Sequence, residues 1–254
     1  MSILLRRDEP GIAWLTINRP EARNALSMTL MAELQAALLA IGEDHQIHIA
    51  IIEAAGPAFC AGHDLRELRQ FADTSAVFEQ CSRLMQTIVQ MPKPVIACVQ
   101  GIATAAGCQL VATCDLAVAA DTARFATPGV NIGLFCSTPM VALTRAVGRK
   151  AAMEMLLTGE LVDAMRAREI GLVNQVVPAA NLRIATRILA RTIAEKSPAT
   201  VAIGKRAFYR QAEMGLADAY EFTSDVMTRN MATADAIEGI DAFLAKRKPV
   251  WSGA

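Results

Sequence analysis

Apolar and polar positions change their period several times along the chain, and each change marks an element. Ile12–Asn18 alternates with β-branched residues and stops at Arg19-Pro20, which predicts a strand followed by a turn. Ser27 then precedes Leu30, Leu34, Ala37, Leu38 and Ile41, spaced to share one helical face with Ser27 as the cap. Ile47–Glu53 predicts a second, mostly buried strand. Val77–Val89 reads as a helix, which Pro92-Lys93-Pro94 ends before a third strand at Val95–Val99. A helix around Gln109–Thr113 and a fourth strand over Asp115–Ala119 follow. Strands alternating with helices imply βα units joined by right-handed crossovers. From Ser137 onward the pattern is helical almost throughout, broken at Val173–Val177 between Gly171 and Pro178. The expectation is an α/β core over residues 1–195 and a helical region over 196–254, packed on that core or on a neighbouring subunit.

Composition narrows the class. A chain of 254 residues, 53% of them apolar, can bury roughly three quarters of its unfolded surface in a single core. Lys plus Arg and Asp plus Glu number 25 each, a balance that argues against a nucleic-acid surface as the main partner. No segment reaches the roughly 18 consecutive apolar residues that a membrane span needs. In the first eight residues the charges follow the apolar positions, which is neither signal-peptide nor transit-peptide order. Cys60, Cys81, Cys98, Cys108, Cys114 and Cys136 are scattered without a C-x-x-C pair, mostly in apolar runs. Buried free thiols in a reducing cytoplasm are the expectation, rather than disulfides or metal ligands.

Two segments carry candidate chemistry. Phe59–Leu65 and Gln100–Leu110 each run from an apolar strand through small residues into a helix start. Such a turn can aim a backbone N–H at a ligand oxygen, and two converging donors form an oxyanion hole.

These residues resemble the crotonase superfamily, the enoyl-CoA hydratase/isomerase family. The matching motifs are Asn18–Leu26, Phe59–Leu65, Gln100-Gly101 with Ala106–Leu110, Cys114-Asp115, Phe125–Pro128 with Gly133, Thr158-Gly159, Gly171–Val173, and Glu238-Gly239 with Lys246–Pro249. They span nearly the whole chain in family order. The runs 103–110, 125–131 and 134–139 look like the branch called enoyl-CoA hydratase domain-containing proteins. The resemblance implies a spiral of ββα turns with two nearly perpendicular sheets, and a C-terminal helical region that makes trimers, often paired into hexamers. It implies a coenzyme A thioester as the ligand, with no separate cofactor and no metal. By motif, Ala61 and Ala106 supply the oxyanion N–H groups, and the backbone of Ala61, Gly62, His63 and Asp64 meets the adenine and pantetheine of CoA. Arg23, Lys246 and Lys248, with Arg247 between them, are the residues such a match offers to a CoA phosphate; an exposed turn and a solvated helix end are the other readings.

The departures lie in acid/base chemistry. Hydratases of the family carry one Glu where this chain has Gln109 and a second where it has Gly129. Each positioned acid or base typically contributes about 10²–10⁴-fold. Gln109 can hold water but cannot take its proton, and Gly129 has no side chain. On the sequence alone, installing both carboxylates (Gln109→Glu with Gly129→Glu) should bring hydration back. His63 either lines the cleft or solvent passively, or carries a proton. Asp64 reads as a helix cap. Cys108 and Cys136 are either inert packing thiols or nucleophiles. Asn131, Ser137 and Thr138 are either acyl-pocket donors or loop residues, and His45 and His48 belong to a solvated turn. Three functional readings follow: a hydratase-like enzyme of the family with non-standard acid/base groups, an acyl-CoA isomerase, hydrolase or decarboxylase, or a silent acyl-CoA-binding protein.

Overall fold

A computed structural model describes residues 2–253. Strands β1 (Leu4–Glu9) and β2 (Gly11–Ile17) pair as a hairpin, and α1 (Met28–Glu43) crosses to β3 (Ile47–Ala54), parallel to β2. The chain then repeats one unit. β3 leads into the short β4 (Ala58–Cys60), then α2 (Leu65–Leu68) and α3 (Ser75–Gln90). β5 (Val95–Val99) leads into β6 (Ile102–Thr104) and α4 (Ala106–Thr113), and β7 (Leu116–Ala120) into β8 (Arg124–Ala126). Next come α5 (Ser137–Ala146), α6 (Arg149–Thr158), β9 (Val162–Asp163), α7 (Ala164–Glu169) and β10 (Gln175–Val177). The C-terminal part is helical: α8 (Leu182–Ala194), α9 (Pro198–Gln211), α10 (Leu216–Met231) and α11 (Ala234–Leu244).

In each repeat the first strand joins one sheet and the second joins another. The large sheet therefore has the order β1-β2-β3-β5-β7-β10, and the small one β4-β6-β8-β9. This is the ββα spiral. Alternation along the strands separates two cores. Ala13, Leu15 and Ile17 of β2 face the main core with α1, α3 and α4; Ile12 and Trp14 face a second layer capped by Leu182 and Ala190 of α8. β5 is buried at every position, as expected of a central parallel strand covered on both faces.

The expected boundaries match where a long apolar period existed. Ser27 caps α1 by accepting from Leu30 N at 3.2 Å. β1 went unforeseen because four of its six residues are charged. β4, β6 and β8 also escaped, being three residues each and embedded in the small-residue turns.

One buried ion pair fastens the C-terminal helices to this chain's own core. Lys205 of α9 donates from Nζ to Asp115 Oδ2 at 2.7 Å, Ile88 O at 2.7 Å and Lys93 O at 2.9 Å. Asp115 also accepts from Val95 N and from the Tyr209 hydroxyl. Burial pulls the Lys205 ammonium below its ordinary value, with Asp115 opposing the shift. Removing one partner from such a pair strands the other, so Lys205→Met is expected to cost about 3–5 kcal/mol. Urea unfolding measures it, and replacing Asp115 by Asn as well should recover part of the loss.

Candidate active site

The first small-residue turn is built as a set of fixed peptides. Asn24, fully buried, accepts from Arg19 N and donates to Ala55 O and Ala58 O, which clamps the β3–β4 connection. Gln100 reaches the same connection with bonds to Ala54 O and Ala58 O. Within the turn, Ala61 N donates to Arg23 O at 3.1 Å. Leu26 N donates to Gly62 O at 2.7 Å, and Asp64 N donates to Leu26 O at 3.1 Å.

These bonds revise the expected donor. The Ala61 N–H is already spent on Arg23, so it cannot serve an oxyanion. A trans peptide holds its C=O and N–H antiparallel. Because the Gly62 carbonyl faces Leu26, the His63 N–H points the opposite way, and no acceptor among the described residues is bonded to it. Gly62 is required here for two reasons. Its φ is +99°, and a Cβ would lie 2.9 Å from Ala105 Cβ and 3.2 Å from Thr104 O. The same Cβ position is 3.4 Å from Ala106 N, so the second donor stands beside this turn.

Ala106 opens α4, where the first N–H groups have no partner within the helix. Ala105 turns the chain from strand to helix in one residue. Its N–H bonds Ala126 O in the small sheet and its carbonyl accepts Gln109 N. The cost is a φ of 51° and ψ of −119°, a region that side-chain-bearing residues avoid by about 1–3 kcal/mol. The helix dipole adds positive potential at Ala106 N–H. His63 N and Ala106 N are thus two free, pre-aimed donors.

Asp64 is the helix cap expected of it, accepting from Arg66 N and Glu67 N, and it pairs with Arg19 at 3.0 Å. Burial pushes its carboxyl up, but Arg19 and the two N–H groups outweigh that and hold it below the ordinary range. Its contribution to stability is complete above about pH 4 and is lost as pH falls through its lowered value.

The acid/base positions are closed. Gln109, buried, accepts at Oε1 from the Cys81 thiol at 3.8 Å. Gly129 sits in a 3₁₀ turn (Pro128–Ile132) whose carbonyl accepts Leu134 N at 2.9 Å. A Cβ there would be 2.4 Å from Leu134 O and 2.9 Å from Cys136 Sγ. The backbone therefore excludes a side chain at 129, and the expectation that a glutamate could simply be installed there does not hold.

The remaining candidates separate. All six cysteines are free and buried, and burial pushes the thiols of Cys60, Cys81 and Cys108 up to about 12, which makes them inert. Cys136 is raised for the same reason, with the Gly129 backbone opposing. Asn131 lies against Gly159, and the Ser137 hydroxyl bonds Phe135 O, so both serve loop structure. His48 bonds Ala194 O. Arg23 is exposed at the rim of the turn, its carbonyl holding Ala61. Lys246 and Lys248 are exposed beyond α11, where Arg247 pairs with Glu238, and no hydrogen bond among the described residues links that segment to the 60–64 turn.

Comparison with known proteins gives the family and the fold. The family described as enoyl-CoA hydratase/isomerase matches residues 7–254. The human protein named "Enoyl-CoA hydratase domain-containing protein 3, mitochondrial" is 51% identical over 97% of this chain and 82% of its own length. A crystal structure of an enoyl-CoA hydratase from Mycobacterium smegmatis superimposes with a TM-score of 0.96 at 50% identity, covering 99% of each chain. A crystal structure of human enoyl-CoA hydratase domain-containing protein 3 gives 0.96 at 49% identity, covering 98% of this chain and 100% of that one. The crotonase-type fold and the domain-containing branch are shown. The cytoplasmic expectation is overturned, because these vertebrate relatives are mitochondrial by name; buried free thiols do not identify a compartment.

The steric argument at Gly129 is directly testable. Gly129→Ala is expected to lower stability by about 1–3 kcal/mol in denaturant unfolding, and Gly129→Glu by more. An unchanged midpoint for Gly129→Ala would show that the turn opens freely and that position 129 is available.

Proposed function

The chain belongs to the enoyl-CoA hydratase/isomerase family, and we propose that within it this protein binds acyl-CoA thioesters without being an efficient hydratase. The carrying observation is the pairing of two unspent amides, His63 N–H and Ala106 N–H, with Gln at 109 and a backbone that leaves no room for a side chain at 129. Two such donors would stabilise the negative charge that develops on a thioester oxygen, where a single preorganised donor is worth about 2.7–4 kcal/mol. The CoA moiety would follow the turn 61–64, with Arg23 at its rim and Lys246 or Lys248 reaching a phosphate.

Water addition needs a group to take a proton from water and another to deliver one to carbon. Gln109 does neither near neutral pH. Hydrolysis and decarboxylation depend less on the missing pair, but no nucleophile stands ready, since the thiols are buried and protonated.

Self-association into a trimer or a pair of trimers is part of the same reading. Apolar side chains crowd the outside of the C-terminal helices: Leu216 is 77% exposed, Tyr220 69%, Phe243 82% and Leu244 73%. An exposed apolar surface of that extent needs a partner, and a second copy of this chain fits it.

Three measurements test the proposal. Calorimetry should find a saturated acyl-CoA bound at least about tenfold more tightly than the S-alkyl thioether of the same chain length, which lacks the carbonyl. Equal affinities would remove the oxyanion contact. Hydration of a short 2-enoyl-CoA should run at least about 10³-fold below that of a carboxylate-bearing family hydratase; comparable rates would contradict the reading. Sedimentation should give the mass of three or six chains, and a monomer would overturn the assembly.

A further inference from the structure

One titratable side chain of the 60–64 turn is left with no hydrogen bond among the described residues. Both ring nitrogens of His63 are buried without a hydrogen-bond partner, whereas His48 Nδ1 lies 2.9 Å from Ala194 O. A buried polar group without a partner costs about 1–3 kcal/mol, so its retention calls for a reason. The ring is held instead by an apolar contact, edge-on to Phe78 of α3 with centroids 5.5 Å apart and planes at 88°. That contact fixes the imidazole while leaving both nitrogens free. The ring also belongs to the residue whose peptide N–H is an unspent donor, so donor and ring are delivered by the same turn.

Several charged groups on the neighbouring elements are already engaged, while Arg66 and Arg69 of the α2 segment form no ion pair among the described residues. Arg19 pairs with Asp64, Glu79 with Arg83, and Glu67 accepts from Met28 N. Burial holds the imidazole below its ordinary value, opposed in part by the Leu26 backbone. The ring is therefore neutral at pH 7 and able to take a proton.

We infer that His63 is the proton carrier of this site, removing a proton from the carbon next to the thioester carbonyl. The inference rests on the acyl-CoA reading above. The C–H bond breaks, its electron pair moves into a carbon–carbon double bond, and the carbonyl π pair moves onto the oxygen between the two amides. The proton goes to a ring nitrogen, giving an imidazolium. Reversal returns a proton to the same carbon, with no oxidant or second substrate. The reaction class is α-proton exchange on an acyl-CoA.

The test uses the full chain with butyryl-CoA in D₂O, following deuterium at the α-carbon by mass spectrometry. Deuterium should enter, and His63→Gln should slow its entry about 100-fold or more. Added imidazole should restore part of the rate in His63→Ala. If the variants do not fold, the wild-type pH profile decides. A rate lost on the acid side, with a midpoint below the 6.5 of a free imidazole, supports His63; a rate that appears only above about pH 8 indicates a thiol and overturns the inference. Calorimetry with the same butyryl-CoA separates the two ideas. Failure to bind overturns the acyl-CoA reading, while binding without exchange, or exchange indifferent to His63→Gln, overturns this inference alone.

Discussion

The orientation of the peptide between Gly62 and His63 is the constraint on which the rest of the site depends. Leu26 N–H holds its carbonyl, and peptide planarity then turns the His63 N–H the other way. A second peptide, Ala105–Ala106, is aimed by a strained residue rather than by a glycine. The strain of about 1–3 kcal/mol is matched by two backbone bonds of about 0.5–1.5 kcal/mol each, from Ala105 N to Ala126 O and from Gln109 N to Ala105 O. The conformation persists because strand and helix both require it.

The residues at the cysteine positions, at 109 and at 129 bring no charge to the two donors. Burial keeps the thiols of Cys60, Cys81 and Cys108 protonated, position 109 carries an amide, and the volume next to Gly129 is filled by Leu134 O and Cys136 Sγ. No anion on these positions competes with a developing oxyanion. The absence of room for a side chain at 129 is built into the backbone of the 128–136 turn. The His63 imidazole, its nitrogens without a partner among the described residues, belongs to the same turn as one donor. On the proposed reading the site stabilises an enolate without a carboxylate pair.

Much of this was legible in the residues. The period of α1, the alternation of β2 and the proline-bounded β5 announced the alternating core, because long amphipathic segments bury one face whatever surrounds them. The small sheet was not legible: three-residue strands carry no period. The two turns were found from their small residues, but the donor was misassigned to Ala61, since which peptide is free depends on bonds to Arg23 and Leu26, some 36 to 38 residues away in sequence. Gln109 and Gly129 are legible as residues without an acid or base. That Gly129 could not take a side chain depends on Leu134 folding back over it, which no local pattern encodes. Lys205 and Tyr209 looked like ordinary helix residues, and only the packing of α9 against Asp115 gives them a role.

A crystal structure with an intact acyl-CoA bound tests the central claim most directly. The account places the thioester oxygen within hydrogen-bond distance, about 2.7–3.2 Å, of both His63 N and Ala106 N. A thioester oxygen resting on Ala61 N, or on neither amide, would contradict it.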